Sequence, residues 1–290
     1  MSFRNVVINS RSKLEYALNY LICRKGMEEK KILINEIKTL VINSTQVSIT
    51  TRLISELSKS KVKIIFCDEY HNPECEVVSY QNNFYSYRKI KEQISFDKKN
   101  CAFLWKMIIK EKIINQANNL KLASKEGSYN MLMSYVDDVQ DGDITNREGH
   151  SAKVYFNSLF GKSFNRNSDI SINKYLNYGY SIILSTINRE IKAFGYLTEL
   201  GIHHIGESNP FNLSCDFIEP LRPLVDSLVI KKQVDDLNFK NAYIDLLTRL
   251  VCYNDKEIFL DNAIHLYIYD LFNYLKTGNE DCIKFISYEL

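Results

Sequence analysis

The chain has 290 residues, of which 45% are hydrophobic and 25% charged, with a formal net charge of +2. Such a composition supports one large domain or two ordinary ones and excludes wholesale disorder. Seven cysteines without a Cys-x-x-Cys pair argue against a zinc ribbon or redox couple, and no run of about 18 apolar residues exists to span a bilayer, so a soluble cytoplasmic protein is expected.

The N-terminal Met1-Ser2-Phe3-Arg4-Asn5 lacks the apolar core of a signal peptide. Short apolar runs follow at Val6–Ile8, Leu18–Cys23, Ile32–Ile34, Leu40–Ile42 and Val62–Cys67, separated by polar clusters such as Asn9-Ser10-Arg11-Ser12. Their β-branched content predicts strands of about five residues. Leu53, Ile54 and Leu57 stand at helical spacing and predict one helix over 50–58. From His71 to Tyr87 the chain is polar and aromatic without a period. The expected division is a β-rich domain over 1–80, a linker over 81–95 and a helical domain over 96–290.

Helical periods dominate the remainder. Ala102, Trp105, Ile109 and Ile113 form one stripe, while Lys99, Lys106 and Lys110 share another face. Further helices are expected over 129–139, over 146–160 with Gly161 as a left-handed cap, and over 172–197 with Ile172, Leu176, Ile183, Ile187 and Phe194 as its seam. Two more are expected near 241–251 and 263–275. The fold class is therefore α+β, a small β-rich N-terminal domain followed by a larger all-α domain.

Charge is uneven along the chain. Residues 88–125 hold ten Lys or Arg against three acids, whereas residues 240–290 hold five against eight. The first region suits an anionic polymer or simply a solvated face.

Three fragments are able to carry chemistry. Thr145-Asn146-Arg147-Glu148 reads as a capping box, with Thr145 the cap and Glu148 reaching back to it; a carboxylate in that first turn is equally able to point outward to a metal. His203-His204 lies between Gly201 and Gly206, an irregular segment after the longest helix, and spacing does not choose between the two imidazoles. Asp216 and Glu219 are three residues apart, one turn on a helix, with Pro220 fitting a helix start. Two acids and a histidine suit magnesium or manganese, the imidazole tilting the preference toward manganese.

Together these stretches resemble the spacer-acquisition endonuclease and integrase family of CRISPR adaptation, the first-numbered CRISPR-associated protein, in its type II version. The likeness is carried by Lys63-Ile-Ile-Phe-Cys-Asp-Glu-Tyr-His-Asn-Pro73, by Leu104 to Ala117, by Arg147-Glu-Gly-His-Ser-Ala-Lys-Val-Tyr-Phe-Asn-Ser-Leu-Phe-Gly161, and by Leu176 to Asp226. The last includes Leu200-Gly-Ile-His-His-Ile-Gly206 and Glu219-Pro-Leu-Arg-Pro-Leu-Val-Asp226. The resemblance implies catalytic metal ligands at Glu148, His204 and Glu219, a Mg2+ or Mn2+ cofactor, and Asp216 as a second acid near the metal. It departs slightly at His150-Ser151, where relatives often carry smaller or amide residues.

The same resemblance implies insertion of short foreign DNA into a repeat array by attack of a 3′-hydroxyl on a phosphodiester. It implies double-stranded DNA with 3′ ends and repeat DNA as substrates, a homodimer formed through the N-terminal domain, and the second-numbered CRISPR-associated protein as partner. The type II effector nuclease is a further candidate partner, and a membrane is not. Candidate DNA contacts are Lys99, Lys106, Lys110, Lys153, Lys162 and Arg166, with Tyr180, on a polar stripe with Asn173 and Asn177, available to stack on a base or else buried in the core. The rival readings are a non-catalytic DNA-binding scaffold and a hydrolytic repair nuclease.

Overall fold

The computed structural model describes residues 4–69, 73–79 and 86–288. The chain divides into two compact units, Met1–Phe84 and Tyr85–Leu290.

The first unit holds β1 (Arg4–Ile8), β2 (Ser12–Ala17), β3 (Tyr20–Lys25), β4 (Glu28–Leu33), β5 (Ile37–Ile42), β6 (Val47–Ile49), α1 (Thr51–Lys59), β7 (Lys63–Cys67) and β8 (Pro73–Val77). They form two four-stranded sheets, ordered β1-β5-β7-β8 and β4-β3-β2-β6. In the first, β1 and β7 run parallel to β5, and β8 closes the edge antiparallel to β7. The apolar run expected to begin at Leu18 is broken by a hairpin turn, because Leu18 and Asn19 both take positive φ, 48° and 66°, the twist that suits a two-residue connection. Thr50 caps α1 by accepting from the Leu53 amide, and Leu53 and Leu57 are buried with Leu14, Leu21, Ile34, Ile37, Leu40 and Ile64 in one core.

The second unit runs through α2 (Ser86–Ile94), α3 (Lys98–Leu122), α4 (Glu126–Asp138), α5 (Arg147–Phe160), α6 (Ser171–Ala193), α7 (Asn212–Ile218), α8 (Arg222–Ile230), α9 (Phe239–Leu246), β9 (Leu250–Tyr253), β10 (Lys256–Phe259) and α10 (Leu260–Thr277). Residues 81–85 of the expected linker lie outside the described residues, and Ser86–Ile94 within it is helical. The helix expected over 241–251 ends at Leu246 as α9; a hairpin with Asn254 and Asp255 at φ 50° and 60° follows, antiparallel between β9 and β10. This hairpin is the departure from an all-helical second unit.

The middle of α3 is buried around most of its circumference, with Trp105, Ile108, Ile109, Ile113, Ala117 and Leu120 all in the core, so it is a central rather than a surface helix. It packs against α4, α5 and α8. Gly179 lets α6 approach closely, since a Cβ there would lie 2.5 Å from Val225 Cγ1 and 2.7 Å from Tyr243 Cε1. Among the described residues no helix is long and apolar enough to cross a membrane.

Candidate metal centre

The site is built from α3, the start of α5, the loop after α6, and the α7–α8 junction. Glu148 lies in the first turn of α5, but the expected capping box is not what holds that turn. Asn146, at φ 52°, is the cap and accepts from the Gly149 amide at 3.2 Å, while Asp143 accepts from the amides of Arg147 at 2.8 Å and Glu148 at 2.9 Å. Asparagine and aspartate tolerate the left-handed backbone that this sharp entry needs. Thr145 Oγ1, the expected cap, is buried without a hydrogen-bond partner. With the helix amides already satisfied, the Glu148 carboxylate is free to face α3. At the other end, Gly161 takes φ 91° and ψ 161°, a positive φ outside the left-handed helical region expected for it.

On α3, Lys112 meets the Glu148 carboxylate. The Lys112 ammonium donates to Glu148 Oε1 at 2.5 Å and to Glu219 Oε2 at 2.5 Å, with its side chain only 5% exposed. Glu219 opens a single helical turn between α7 and α8, and its other oxygen accepts from Arg222 Nε at 2.8 Å. Burial pushes the Glu219 carboxyl up, but Arg222 and Lys112 outweigh it and hold the pKa at about 2. Burial likewise disfavours the Lys112 ammonium, and the charges of Glu219 and Glu148 more than restore it, so its pKa is raised. Two carboxylates and two cations balance here, which is what allows Lys112 and Glu219 to be buried.

The two histidines separate clearly. Asp216, fully buried on α7, accepts from the backbone amides of Ile202 at 2.6 Å, His203 at 3.1 Å and His204 at 3.0 Å, and pairs with His204 Nδ1 at 2.6 Å. Carboxylate binding at Nδ1 orients the ring and leaves Nε2 as the outward nitrogen, the arrangement that metal-ligating histidines use. The hydrogen bond to Asp216 raises the His204 pKa against the opposing effect of burial, with the charges of Glu219 and Glu148 adding to the rise. His203 instead stacks on Trp105, ring centroids 4.1 Å apart and planes 6° off parallel, while the Trp105–His204 contact is edge-on at 5.6 Å. Gly201 is required by this tight loop: a Cβ there would lie 2.3 Å from the His204 carbonyl oxygen and 2.8 Å from Asp216 Oδ2. Asp216 is thus the organiser of the histidine loop, not a partner of Glu219 on a shared helix face.

Glu148 and Glu219 are brought together through Lys112, with the His204 imidazole in the field of both. Among the described residues, no three His, Cys, Asp or Glu side chains are grouped so as to hold a metal as they stand. The donor set nevertheless fits a hard or borderline divalent ion: two carboxylates already share one cation, and an oriented imidazole offers a free nitrogen. Lys112 is the member of this cluster that sequence reasoning missed, while Asp216, expected as a second acid near the metal, stands against His204. A lysine seven residues after Trp105, on the buried stripe of α3, was the available signal.

The candidate DNA contacts fare unevenly. Lys99, Lys153 and Lys162 are exposed and Lys110 is half-buried. Lys106 is engaged by Asp141 at 2.9 Å. Arg166 pins its loop to α6 by donating to Asn173 Oδ1 and Asn177 Oδ1, each at 2.7 Å. Tyr180 takes the buried alternative: it is 8% exposed, donates its hydroxyl to Asp226 at 2.5 Å, and has the guanidinium groups of Arg166 and Arg222 at 5.4 and 4.8 Å from its ring. Asn173 is buried too, so the expected polar stripe is largely interior.

Comparison with known proteins agrees with this architecture. A family model described as CRISPR associated protein Cas1 matches residues 6–243. The CRISPR-associated endonuclease Cas1 of Neisseria meningitidis serogroup C (strain 8013) is 32% identical over 230 residues, which cover 79% of this chain and 76% of that protein. Among solved structures, a casposase bound to integration product superposes with a TM-score of 0.71 at 20% identity, over 96% of this chain and 92% of that one. A Cas6-RT-Cas1–Cas2 complex gives 0.76 at 16% identity; 97% of this chain aligns with 36% of that longer one. The structural likenesses establish a shared fold. The match spanning both units, and a relative nearly one-third identical over most of the length, settle the family: this chain belongs to CRISPR associated protein Cas1.

Proposed function

We propose that this chain is a Mg2+- or Mn2+-dependent DNA endonuclease and integrase that inserts short DNA fragments into a CRISPR repeat array, with Glu148, His204 and Glu219 as the metal ligands. The observation that carries the reading is the sharing of one buried cation, the Lys112 ammonium, by Glu148 and Glu219, beside a histidine that Asp216 orients. The endonuclease name of the Neisseria meningitidis relative and the integration product in the casposase structure support the activity. The Cas1–Cas2 assembly among the structural neighbours supports a Cas2 partner, and a homodimer joined through the N-terminal unit completes the proposed complex.

When bound, the ion polarises the scissile phosphate and makes the attacking hydroxyl more acidic. The protein's own residues set the stage for that chemistry. Asp216 fixes the His204 ring so that Nε2 faces outward. Glu219 stays ionised far below neutral pH because Arg222 and Lys112 hold it so. Lys99, Lys110, Lys153 and Lys162 supply backbone-directed, sequence-neutral phosphate contacts. In the reaction a DNA 3′-hydroxyl forms a new P–O bond while an existing one breaks, the departing 3′-oxygen taking a proton. With water as nucleophile the same exchange leaves cut DNA.

The test supplies fragments with free 3′-hydroxyl ends and a repeat-containing duplex, with the Cas2 partner, in Mn2+ or EDTA. Joined strands that require metal and vanish in Glu148→Ala, while DNA binding persists, support the proposal. Cut but never joined DNA favours a repair nuclease, and metal-independent binding without product favours a scaffold.

A further inference from the structure

We infer that Lys112 is a resident counter-cation that occupies the divalent-ion position in the metal-free protein and must give it up when the ion binds. The inference deepens the proposed metal site and rests on it. Two buried or half-buried carboxylates facing one another repel unless a positive charge lies between them. The Lys112 ammonium is that charge, hydrogen-bonded to one oxygen of each at 2.5 Å. Glu219 already spends its other oxygen on Arg222, so a divalent ion drawing on Glu148 and Glu219 competes with the ammonium for the same two carboxylates.

Position on α3 makes this a built feature rather than a chance surface pair. Lys112 is flanked by Ile108, Ile109 and Ile113, all fully buried, and its side chain is almost entirely removed from solvent. Arg222 already pairs with Glu219 through the other oxygen, so that carboxylate keeps a partner when Lys112 leaves, whereas Glu148 then depends on the metal. The arrangement keeps the empty site folded and makes metal loading a competition between two cations.

The competition is read in the full-length protein by comparing wild type with Lys112→Met and Lys112→Gln. Trp105 is the only tryptophan of the chain and meets His204 edge-on at 5.6 Å, so its fluorescence reports Mn2+ at the site. Losing two charge-assisted hydrogen bonds that metal must otherwise break tightens Mn2+ binding by at least about tenfold in both variants. Their melting temperatures in EDTA fall below wild type, and Mn2+ raises them by more than it raises wild type. Variants that bind Mn2+ no tighter than a wild type that does bind it overturn the inference and leave the metal site standing. No Mn2+ response in any of the proteins removes the metal site, and the inference with it.

Should both variants fail to fold, acylation of wild-type lysines followed by mass spectrometry decides the matter. Lys112 is then protected in EDTA and modified at saturating Mn2+. Equal protection in both conditions, with Mn2+ demonstrably bound, overturns the displacement.

Discussion

Replacing Asp216 by Asn tests how the histidine loop is held. The carboxylate accepts three backbone N–H groups and the His204 imidazole, all within 3.1 Å, from a fully buried position. An amide keeps the shape but turns one oxygen into a donor facing other donors, and removes the charge from the rest. Charge-assisted bonds contribute about 1.5–3 kcal/mol each, and breaking a buried charged pair costs about 3–5 kcal/mol. Taking about 4 kcal/mol for the whole cluster, and about 2–4 °C per kcal/mol in a protein of this size, Asp216→Asn melts roughly 8–16 °C lower. Loss of an orienting carboxylate also weakens metal affinity by about 10–100-fold. Differential scanning calorimetry in EDTA and Trp105 quenching by Mn2+ measure the two effects separately. A variant melting within 2 °C or so of wild type, with unchanged Mn2+ affinity, refutes the role given to Asp216.

Other outcomes follow from the same geometry. Glu219→Gln leaves the buried Lys112 and the half-buried Arg222 charges short of a partner and destabilises the metal-free protein by about 3 kcal/mol, measurable by urea unfolding. Gly201→Ala forces the His204 carbonyl away from a contact that would otherwise be 2.3 Å, so strand joining falls sharply while far-ultraviolet circular dichroism is unchanged. Mn2+ affinity, read by Trp105 quenching, falls as pH drops through the raised His204 pKa, because the ligand nitrogen must be unprotonated. The Asp226 carboxyl, buried against Tyr155 and Tyr180, is pushed up by burial to about 6 from an ordinary 3.8. A raised carboxyl contributes stability that is present below its unfolded pKa and is lost as pH rises through the folded one. The melting temperature of wild type relative to Asp226→Asn therefore declines between about pH 4 and pH 6; a flat difference contradicts that assignment.

Much of this organisation is legible in the sequence because it is carried by periodicity. Leu176, Ile183 and Ile187 on α6 and Leu53 and Leu57 on α1 are core residues at the spacing that predicts them. What escaped is decided by backbone twist or by distant neighbours. Leu18-Asn19 and Asn254-Asp255 reverse the chain with positive φ, and neither pair contains the glycine that usually marks such a turn. The start of α5 invites a capping box at Thr145, yet the left-handed Asn146 and the buried Asp143 take its amides.

At the site, Glu148, His204 and Glu219 stand out because their flanking residues are distinctive. Lys112 stands among lysines that suggest a solvated face, although its spacing from Trp105 sets it on the buried stripe of α3; the charges that let it stay there, Glu148 and Glu219, come from 36 and 107 residues away. Asp216 and Glu219 are three apart, but the change from α7 to a tighter turn sends one to the histidine loop and the other to Lys112. Tyr180 offers an aromatic face that suggests DNA from sequence alone; Arg166, Arg222 and Asp226, which enclose it, come from other elements.

The most direct measurement is anomalous diffraction from crystals grown with Mn2+, which locates the ion independently of activity. The account predicts one ion coordinated by Glu148, His204 Nε2 and Glu219, with the Lys112 ammonium withdrawn from at least one carboxylate. An ion bound elsewhere, with Lys112 still bridging Glu148 and Glu219, contradicts it.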